Sequence, residues 1–316
     1  MRQHYSGSGS EKGLKELADE ALPAIRLAGI GKRFKASLVL QDITWQVPHG
    51  HIVGLLGLNG SGKTTLLRLL MGIVHPTLGQ GWIGEQNLLS EAALIRQRMG
   101  FVPERPNIPG PFTANRLERI GRATYAKWDS PQFFDSLKRF QIVRDKPLYL
   151  MSHGQRTLTA LAFALAHHAD ILLLDEPTNG LDPLARREFL SRLIEEAYDQ
   201  GRTVVLSSHR LEEIEHLAQD VALLHQGKLV AAGPLDLLLR QDRLVSFRMN
   251  SGSFQLSQLP GATDVVHSGP QVTVYIRHFD RDGVQRVLSL WGIADWTVRE
   301  VSLEHFFRER VGEHVV

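Results

Sequence analysis

Nine consecutive residues, Gly57-Leu58-Asn59-Gly60-Ser61-Gly62-Lys63-Thr64-Thr65, follow directly on the apolar run 52–56. They satisfy the pattern G-x-x-x-x-G-K-[ST] in a strand-loop-helix setting. The glycines let the backbone wrap a phosphate closely enough for successive N–H groups to aim at its oxygens, an approach that side chains would obstruct. Lys63 brings positive charge to the β- and γ-phosphates, and the Thr64 hydroxyl is suited to ligate Mg²⁺. The helix expected over 63–71 turns the positive end of its dipole to the same place. The chemistry implied is capture of a nucleoside triphosphate.

A second group of residues supplies charge of the opposite sign. Ile171-Leu172-Leu173-Leu174-Asp175-Glu176 is an apolar run that ends in two carboxylates, and in an open α/β sheet the carboxyl ends of parallel strands form the ligand rim. Asp175 is placed to hold Mg²⁺ directly or through water, and Glu176 to polarise an attacking water. Alone, such a run also describes a strand entering a solvated turn; the phosphate loop upstream gives it the catalytic reading. Between the two motifs, Met151-Ser152-His153-Gly154-Gln155 opens a helical pattern carried by Leu158, Leu161, Ala162 and Leu165. Ser152 there is by itself an ordinary N-cap.

The elements that must position these groups alternate in type. Short strands are expected over 24–27, 39–47, 52–56 and 81–83, and the pattern over 90–150 is mostly helical with a Pro/Gly interruption at 103–111. An amphipathic stretch surrounds Phe133, Phe134, Leu137 and Phe140. Strands at 171–175, 203–207, 221–225 and 228–232 then alternate with helices at 158–167, 183–200 and 211–218, the mark of a largely parallel sheet with helices on its faces. After Arg240 the character changes to strands at 245–249, 254–256, 272–276 and 296–301 and helices at 281–290 and 303–310, a small α+β unit whose core Trp291 and Trp296 would fill. Residues 1–23 read as a flexible arm, rich in Ser and Gly, followed by a short amphipathic helix. The chain is thus divided into 1–23, a main unit 24–240 with a helical subdomain at about 90–155, and an appended unit 241–316.

A length of 316 residues exceeds one usual compact core, which suits two units. No apolar run approaches the roughly 20 residues that span a bilayer, and no signal-peptide core occurs. The absence of cysteine excludes disulfides and thiolate metal sites. A formal net charge of +2 without a Lys/Arg run argues against a nucleic-acid footprint. His167 and His168 are adjacent on a helix and point apart, a poor metal pair, and His49 and His51 flank a turn.

With the three motifs in this order, residues 24–238 resemble the nucleotide-binding subunit of an ABC transporter, whose signature reads Leu-Ser-Gly-Gly-Gln. Ser152, Gly154 and Gln155 match it, whereas Met151 and His153 depart from it. The resemblance implies a P-loop cassette with a RecA-like parallel core, a β subdomain and a helical subdomain, and it implies ATP and Mg²⁺. It makes Phe34 the adenine platform, Glu104 a Mg²⁺ contact where the family has glutamine, Asp182 an interface residue in Asn179-Gly180-Leu181-Asp182, and His209 the γ-phosphate switch. In that family ATP lies between the phosphate loop of one cassette and the signature of another, so a chain with one of each must pair with a second copy or a related chain. Lys63, Glu176 and His209 would be the catalytic groups. Pro103-Glu104 and the closing segment 301–307 are similar to the exporter branch with ABC-2 type membrane subunits, which implies a cytoplasmic motor docked on a separate permease near 104–117. A soluble ABC ATPase acting on ribosomes or nucleic acid, and an ATP-dependent regulator with little hydrolysis, are the alternatives. No Asn-Lys-x-Asp segment supports guanine recognition.

Overall fold

The computed structural model describes residues 22–106, 111–249 and 255–312. All but the last two residues of the arm and helix expected over 1–23 lie outside them, as does Phe254 at the head of one expected strand.

Strands β1 (Ile25–Phe34) and β2 (Ser37–Val47) form an antiparallel hairpin, with β3 (Ile52–Leu56) following. The hairpin is longer than the sequence pattern indicates, because irregular register along β1 between Leu27 and Arg33 interrupts the alternation of apolar and polar residues. β4 (Leu78–Ile83) and β5 (Gln86–Asn87) complete this four-stranded sheet in the order β2-β1-β4-β5.

The second sheet is the scaffold of the site. β6 (Met99–Val102), β7 (Ile171–Asp175), β8 (Thr203–Ser208), β9 (Asp220–His225) and β10 (Lys228–Pro234) join β3 in the order β10-β9-β3-β8-β7-β6. All neighbours are parallel except β10, which returns antiparallel on β9. β3, β7 and β8 are buried along their whole length, as expected of strands covered by helices on both faces. β6 corrects the expectation that 90–150 is helical apart from a Pro/Gly break. Its four residues are too few to show a strand period, yet they supply the edge of the central sheet beside β7.

A helical layer follows β6: Ala114–Thr124, Ser130–Arg139 and, after a short turn, His153–Ala166. Phe133 and Leu137 are fully buried and join the large cluster shared with the central sheet. Arg139 ties this layer to the Pro183–Gln200 helix by ion pairs to Glu188 and Glu195. Hydrogen bonds from Arg139 and then Arg192 hold the Glu195 carboxyl down to about 2. His167 is buried too, with Nε2 at 3.2 Å from the Met99 carbonyl and Nδ1 at 3.3 Å from that of Phe163. Its ring stacks on Tyr125 at 4.1 Å. It is a packing residue, in line with its poor placement as a ligand.

β11 (Arg243–Arg248), β12 (Ala262–Ser268), β13 (Gln271–Ile276) and β14 (Trp296–Glu300) form the third, antiparallel sheet, ordered β12-β13-β11-β14. The Arg281–Leu290 helix covers one face, with Trp291 and Trp296 packed against that cluster. β12 is absent from the sequence reading, and the strand expected at 254–256 is a 3₁₀ turn at Leu256–Gln258. The last helix, Leu303–Val311, does not pack into this small core. Leu303, Phe306, Phe307 and Val311 join the cassette cluster, so the appended residues return to the main unit. Asp242 locks that return from a fully buried position. It accepts from the Tyr275 hydroxyl at 2.6 Å, from Arg310 Nη2 at 3.0 Å and from the His278 N–H at 3.1 Å. Burial, followed by the Asp242 hydrogen bond, raises the Tyr275 phenol well above its ordinary value.

Two predictions follow from this packing. Asp242→Ala strands the Arg310 guanidinium without its charge partner, and we expect a loss of about 3 kcal/mol or more in urea unfolding monitored by tryptophan fluorescence. Burial lowers the His167 pKa below its ordinary 6.5. The unfolded chain therefore binds the extra proton first. The stabilisation is complete above pH 6.5 and is lost as pH falls from there through the lower folded value. The urea midpoint of His167→Gln should decline less steeply than that of the wild type between pH 7 and pH 5, by up to about 1.4 kcal/mol per pH unit.

Candidate active site

The phosphate loop occupies the turn from β3 into the Lys63–Leu70 helix. Gly57 is required by close approach: a Cβ there would lie 2.3 Å from the Leu224 carbonyl oxygen and 2.5 Å from Ser61 Oγ. Lys63 is buried and folds back over the loop, with Nζ donating to the Gly57 carbonyl at 2.7 Å and the Leu58 carbonyl at 3.4 Å. It also lies 3.5 Å from Glu176 Oε1.

Parallel pairing brings the other groups to this loop. Leu55 of β3 is in register with Ser207 of β8, and Ser207 with Asp175 of β7. The Ser207 hydroxyl donates to Asp175 Oδ1 at 2.9 Å and accepts from the Glu176 N–H at 2.8 Å. One side chain thus orients the Asp175 carboxylate and fixes the backbone of Glu176. Glu176 adopts φ of +46°, a left-handed conformation that costs a non-glycine residue about 1–2 kcal/mol. The Ser207 contacts, from hydroxyl and carbonyl, hold it there. His209 sits just beyond β8, with Nδ1 2.7 Å from Glu176 Oε2 and its backbone N–H donating to the same oxygen at 3.3 Å.

These residues enclose a cavity of about 410 Å³ lined by Asn59, Gly60, Ser61, Gly62, Lys63, Thr64 and Thr65, with Glu104, Glu176, Asn179 and His209 opposite. Ser61 Oγ and Glu176 Oε1 are buried and lack hydrogen-bond partners. The first can donate to an anion, and the second can accept from water. Asp175 is buried just behind, at 1% exposure. Thr64, Asp175 and Glu104 offer hard oxygen donors of the kind Mg²⁺ takes. Among the described residues no group of three or more His, Asp or Glu side chains gathers into a metal cage.

The remaining residues singled out in the sequence lie elsewhere. Phe34 ends β1 half-exposed, with Lys32 Nζ 4.8 Å from its ring centre, and it does not line the cavity. Ser152 and Gln155 form a reciprocal capping box on the His153–Ala166 helix: Ser152 Oγ accepts from the Gln155 N–H at 3.1 Å, and Gln155 Oε1 from the Ser152 N–H at 3.2 Å. Gly154 follows within that first turn. Asp182 caps the Pro183–Gln200 helix, accepting from the N–H groups of Leu184 and Ala185. None of these reaches its own phosphate loop. A second cavity of about 750 Å³, which includes Arg105, His153 and Arg156, adjoins the first through Glu104 and Asn179. Sequence reasoning missed the double role of Ser207 and the apolar wall formed by Val39. Ser207 carried a signal, as the first residue of Ser207-Ser208-His209, but its task depends on strand register.

Comparisons with known proteins identify the family. The ABC transporter family model matches residues 40–179. The bacitracin transport ATP-binding protein of Bacillus licheniformis is 30% identical over 305 residues, covering 91% of this chain and 97% of that protein. The match therefore reaches well past the cassette. The Nod factor export ATP-binding protein I of Ralstonia nicotianae is 32% identical over 226 residues, covering 69% of this chain and 70% of its own length. Among solved structures, an ATP-binding subunit of an ABC transporter superposes with a TM-score of 0.64 at 27% identity, over 69% of this chain and 92% of that one. A dimeric cassette in a post-hydrolysis state with ADP and Pi shares the fold at 24% identity and a TM-score of 0.61, over 67% of this chain and 98% of that one. The chain belongs to the ABC transporter family of ATP-binding proteins and is an ATPase.

Proposed function

We propose that this chain is the cytoplasmic, ATP-hydrolysing motor of an exporter, paired with a second copy or a related cassette around two Mg-ATP and docked on separate membrane subunits of the ABC-2 type. The observation that carries this reading is the split site. The phosphate loop, Glu104, Glu176 and His209 share one cavity, whereas Ser152, Gly154 and Gln155 lie outside it on a helix N-terminus. A second protomer supplies what one lacks. The transport role of the bacitracin relative and the export role of the Nod factor relative support this reading. No helix among the described residues is long and apolar enough to cross a membrane, which leaves the membrane path to other subunits.

In this scheme the loop amides of Gly57, Asn59, Gly60, Ser61 and Gly62, with Thr65, hold the triphosphate. Lys63 exchanges its loop carbonyls for phosphate oxygens, and Phe34 stacks on adenine from the end of β1. Thr64, Asp175 and Glu104 would hold Mg²⁺, which would supply charge neutralisation to the bound triphosphate. Ser152, Gly154 and Gln155 close over the γ-phosphate from the partner with the dipole of their helix, and Asp182 faces the partner at the interface.

Glu176 Oε2 is held by both N–H groups of His209, so Oε1 is left to accept a proton from water, which then attacks the γ-phosphorus. His209 stands beside that carboxylate on the cavity wall, where its ring would contact the γ-phosphate. Ser207 keeps Asp175 and Glu176 on their separate tasks. Loss of the γ-phosphate removes the charged link between protomers and lets them part.

Glu176→Gln should bind ATP normally and hydrolyse it about 10²–10⁴-fold more slowly, about 3–5 kcal/mol in barrier; turnover near the wild-type rate would exclude Glu176 as the base. Ser207→Ala should lower kcat by about 10–100-fold, the range seen when a supporting hydrogen bond behind a metal-binding carboxylate is removed. The transport assignment is tested by mild detergent extraction of the natively expressed tagged chain. A stoichiometric polytopic partner is expected, and recovery with ribosomal proteins would overturn it.

A further inference from the structure

The third sheet has two faces of different character. One carries Val245, Phe247, Val272 and Val274 into the small core beneath the Arg281–Leu290 helix. On the other, strand register sets four side chains in a row across the sheet: Asp264 of β12 opposite Tyr275 of β13, Tyr275 opposite Leu244 of β11, and Leu244 opposite Arg299 of β14. The last helix stands beside this row. Its residues Leu303, Phe306, Phe307 and Val311 enter the cassette cluster, whereas His305, Arg308, Glu309 and Gly312 recur at helical spacing on another face. That second face and the row across the sheet border a cavity of about 610 Å³. None of the steps in ATP hydrolysis uses it.

The walls are held from outside the cavity. The buried Asp242 carboxylate fixes Tyr275 and, through Arg310, the last helix. Arg277 Nη2 donates to Glu309 Oε1 at 2.7 Å, which neutralises that carboxylate. Arg299 rests against the floor, with Nη2 3.5 Å from Ser246 Oγ, itself 2.9 Å from Thr273 Oγ1. Neither Arg299 nor Arg308 forms an ion pair among the described residues. The other carboxylate of the lining, Asp264, accepts from the Val265 N–H at 2.8 Å. Two guanidiniums therefore face one uncompensated carboxylate, and the cavity favours negative charge. Arginine binds carboxylate and phosphate groups through paired N–H donors. Leu244, Val266 and the Tyr275 ring add apolar surface, and the volume falls within the range of about 300–1,000 Å³ that small-molecule sites occupy.

We propose that this cavity binds a small organic anion, with Arg299 and Arg308 on its carboxylate or phosphate group and Leu244, Val266 and Tyr275 against its apolar body. The site is built within one protomer and does not rest on the paired-cassette reading.

The test uses 1-naphthoate, 1-naphthyl phosphate and the neutral 1-naphthamide, titrated calorimetrically into the full-length chain with Mg-ADP present to fill the phosphate loop. At least one of the two anions should bind at one per chain with a Kd of about 1 mM or tighter, the range open to a ligand of this size. The tighter of the two identifies the head group. Naphthamide should bind about 10-fold more weakly or worse, and the double variant Arg299→Gln/Arg308→Gln should lose about 10-fold or more in affinity for the anion. Asp264→Asn removes the opposing charge and should bind the anion more tightly. Since neither arginine has an ion-pair partner, the double variant should melt with the wild type. If it melts early, Asp264→Asn decides, and weaker anion binding there overturns the proposal. No saturable binding of either anion below about 10 mM, equal binding of naphthamide, or undiminished affinity in the double variant would also overturn it.

Discussion

The parallel register that sets Leu55 opposite Ser207, and Ser207 opposite Asp175, determines where the chemistry sits. β3, β7 and β8 are buried on both faces and cannot slip without driving apolar side chains out of two covered layers. Their carboxyl ends are therefore fixed relative to one another. The phosphate loop leaves β3, the two carboxylates end β7, and His209 leaves β8. Ser207 sits at the middle of this arrangement and turns a register into a hydrogen-bond geometry, with its hydroxyl shared between Asp175 and the Glu176 amide. The strained φ of Glu176 follows, because the chain must reverse there to keep the carboxylate in the cavity rather than continue the strand.

Charge is held close to balance around that edge. Lys63 and Glu176 are both buried and 3.5 Å apart, and such a pair is stable only while each partner finds compensating contacts. Lys63 finds them in the Gly57 and Leu58 carbonyls, and Glu176 in the two His209 N–H groups. A triphosphate brought to this place draws the ammonium from neutral carbonyls to anionic oxygens. The carboxylate, already held on one oxygen, keeps the other for water. Binding and hydrolysis thus use the same few side chains with different partners.

The motifs that were legible in the sequence are those whose chemistry is local. The phosphate loop depends on glycine, Lys63 and Thr64 within nine positions, and the Leu-rich run before Asp175 announces a buried strand. β6 escaped because Met99–Val102 is only four residues long and lies directly after a helical pattern. The true extent of β1 was hidden by its irregular register with β2. The helix expected at 303–310 was foreseen, but not its destination: Phe306 and Phe307 pack into the cassette cluster rather than into the small core of the third sheet, and periodicity carries no information about which core an apolar face will join. The same limit applies to Ser207, an unremarkable side chain until strand register supplies its contacts.

The account depends on one chain presenting an incomplete site that a second protomer completes with ATP between them. Its most direct test is the mass of the Glu176→Gln chain in solution, by light scattering, with and without Mg-ATP. The mass of one chain without nucleotide and of two with it is the predicted result. A single-chain mass at saturating Mg-ATP would contradict the account.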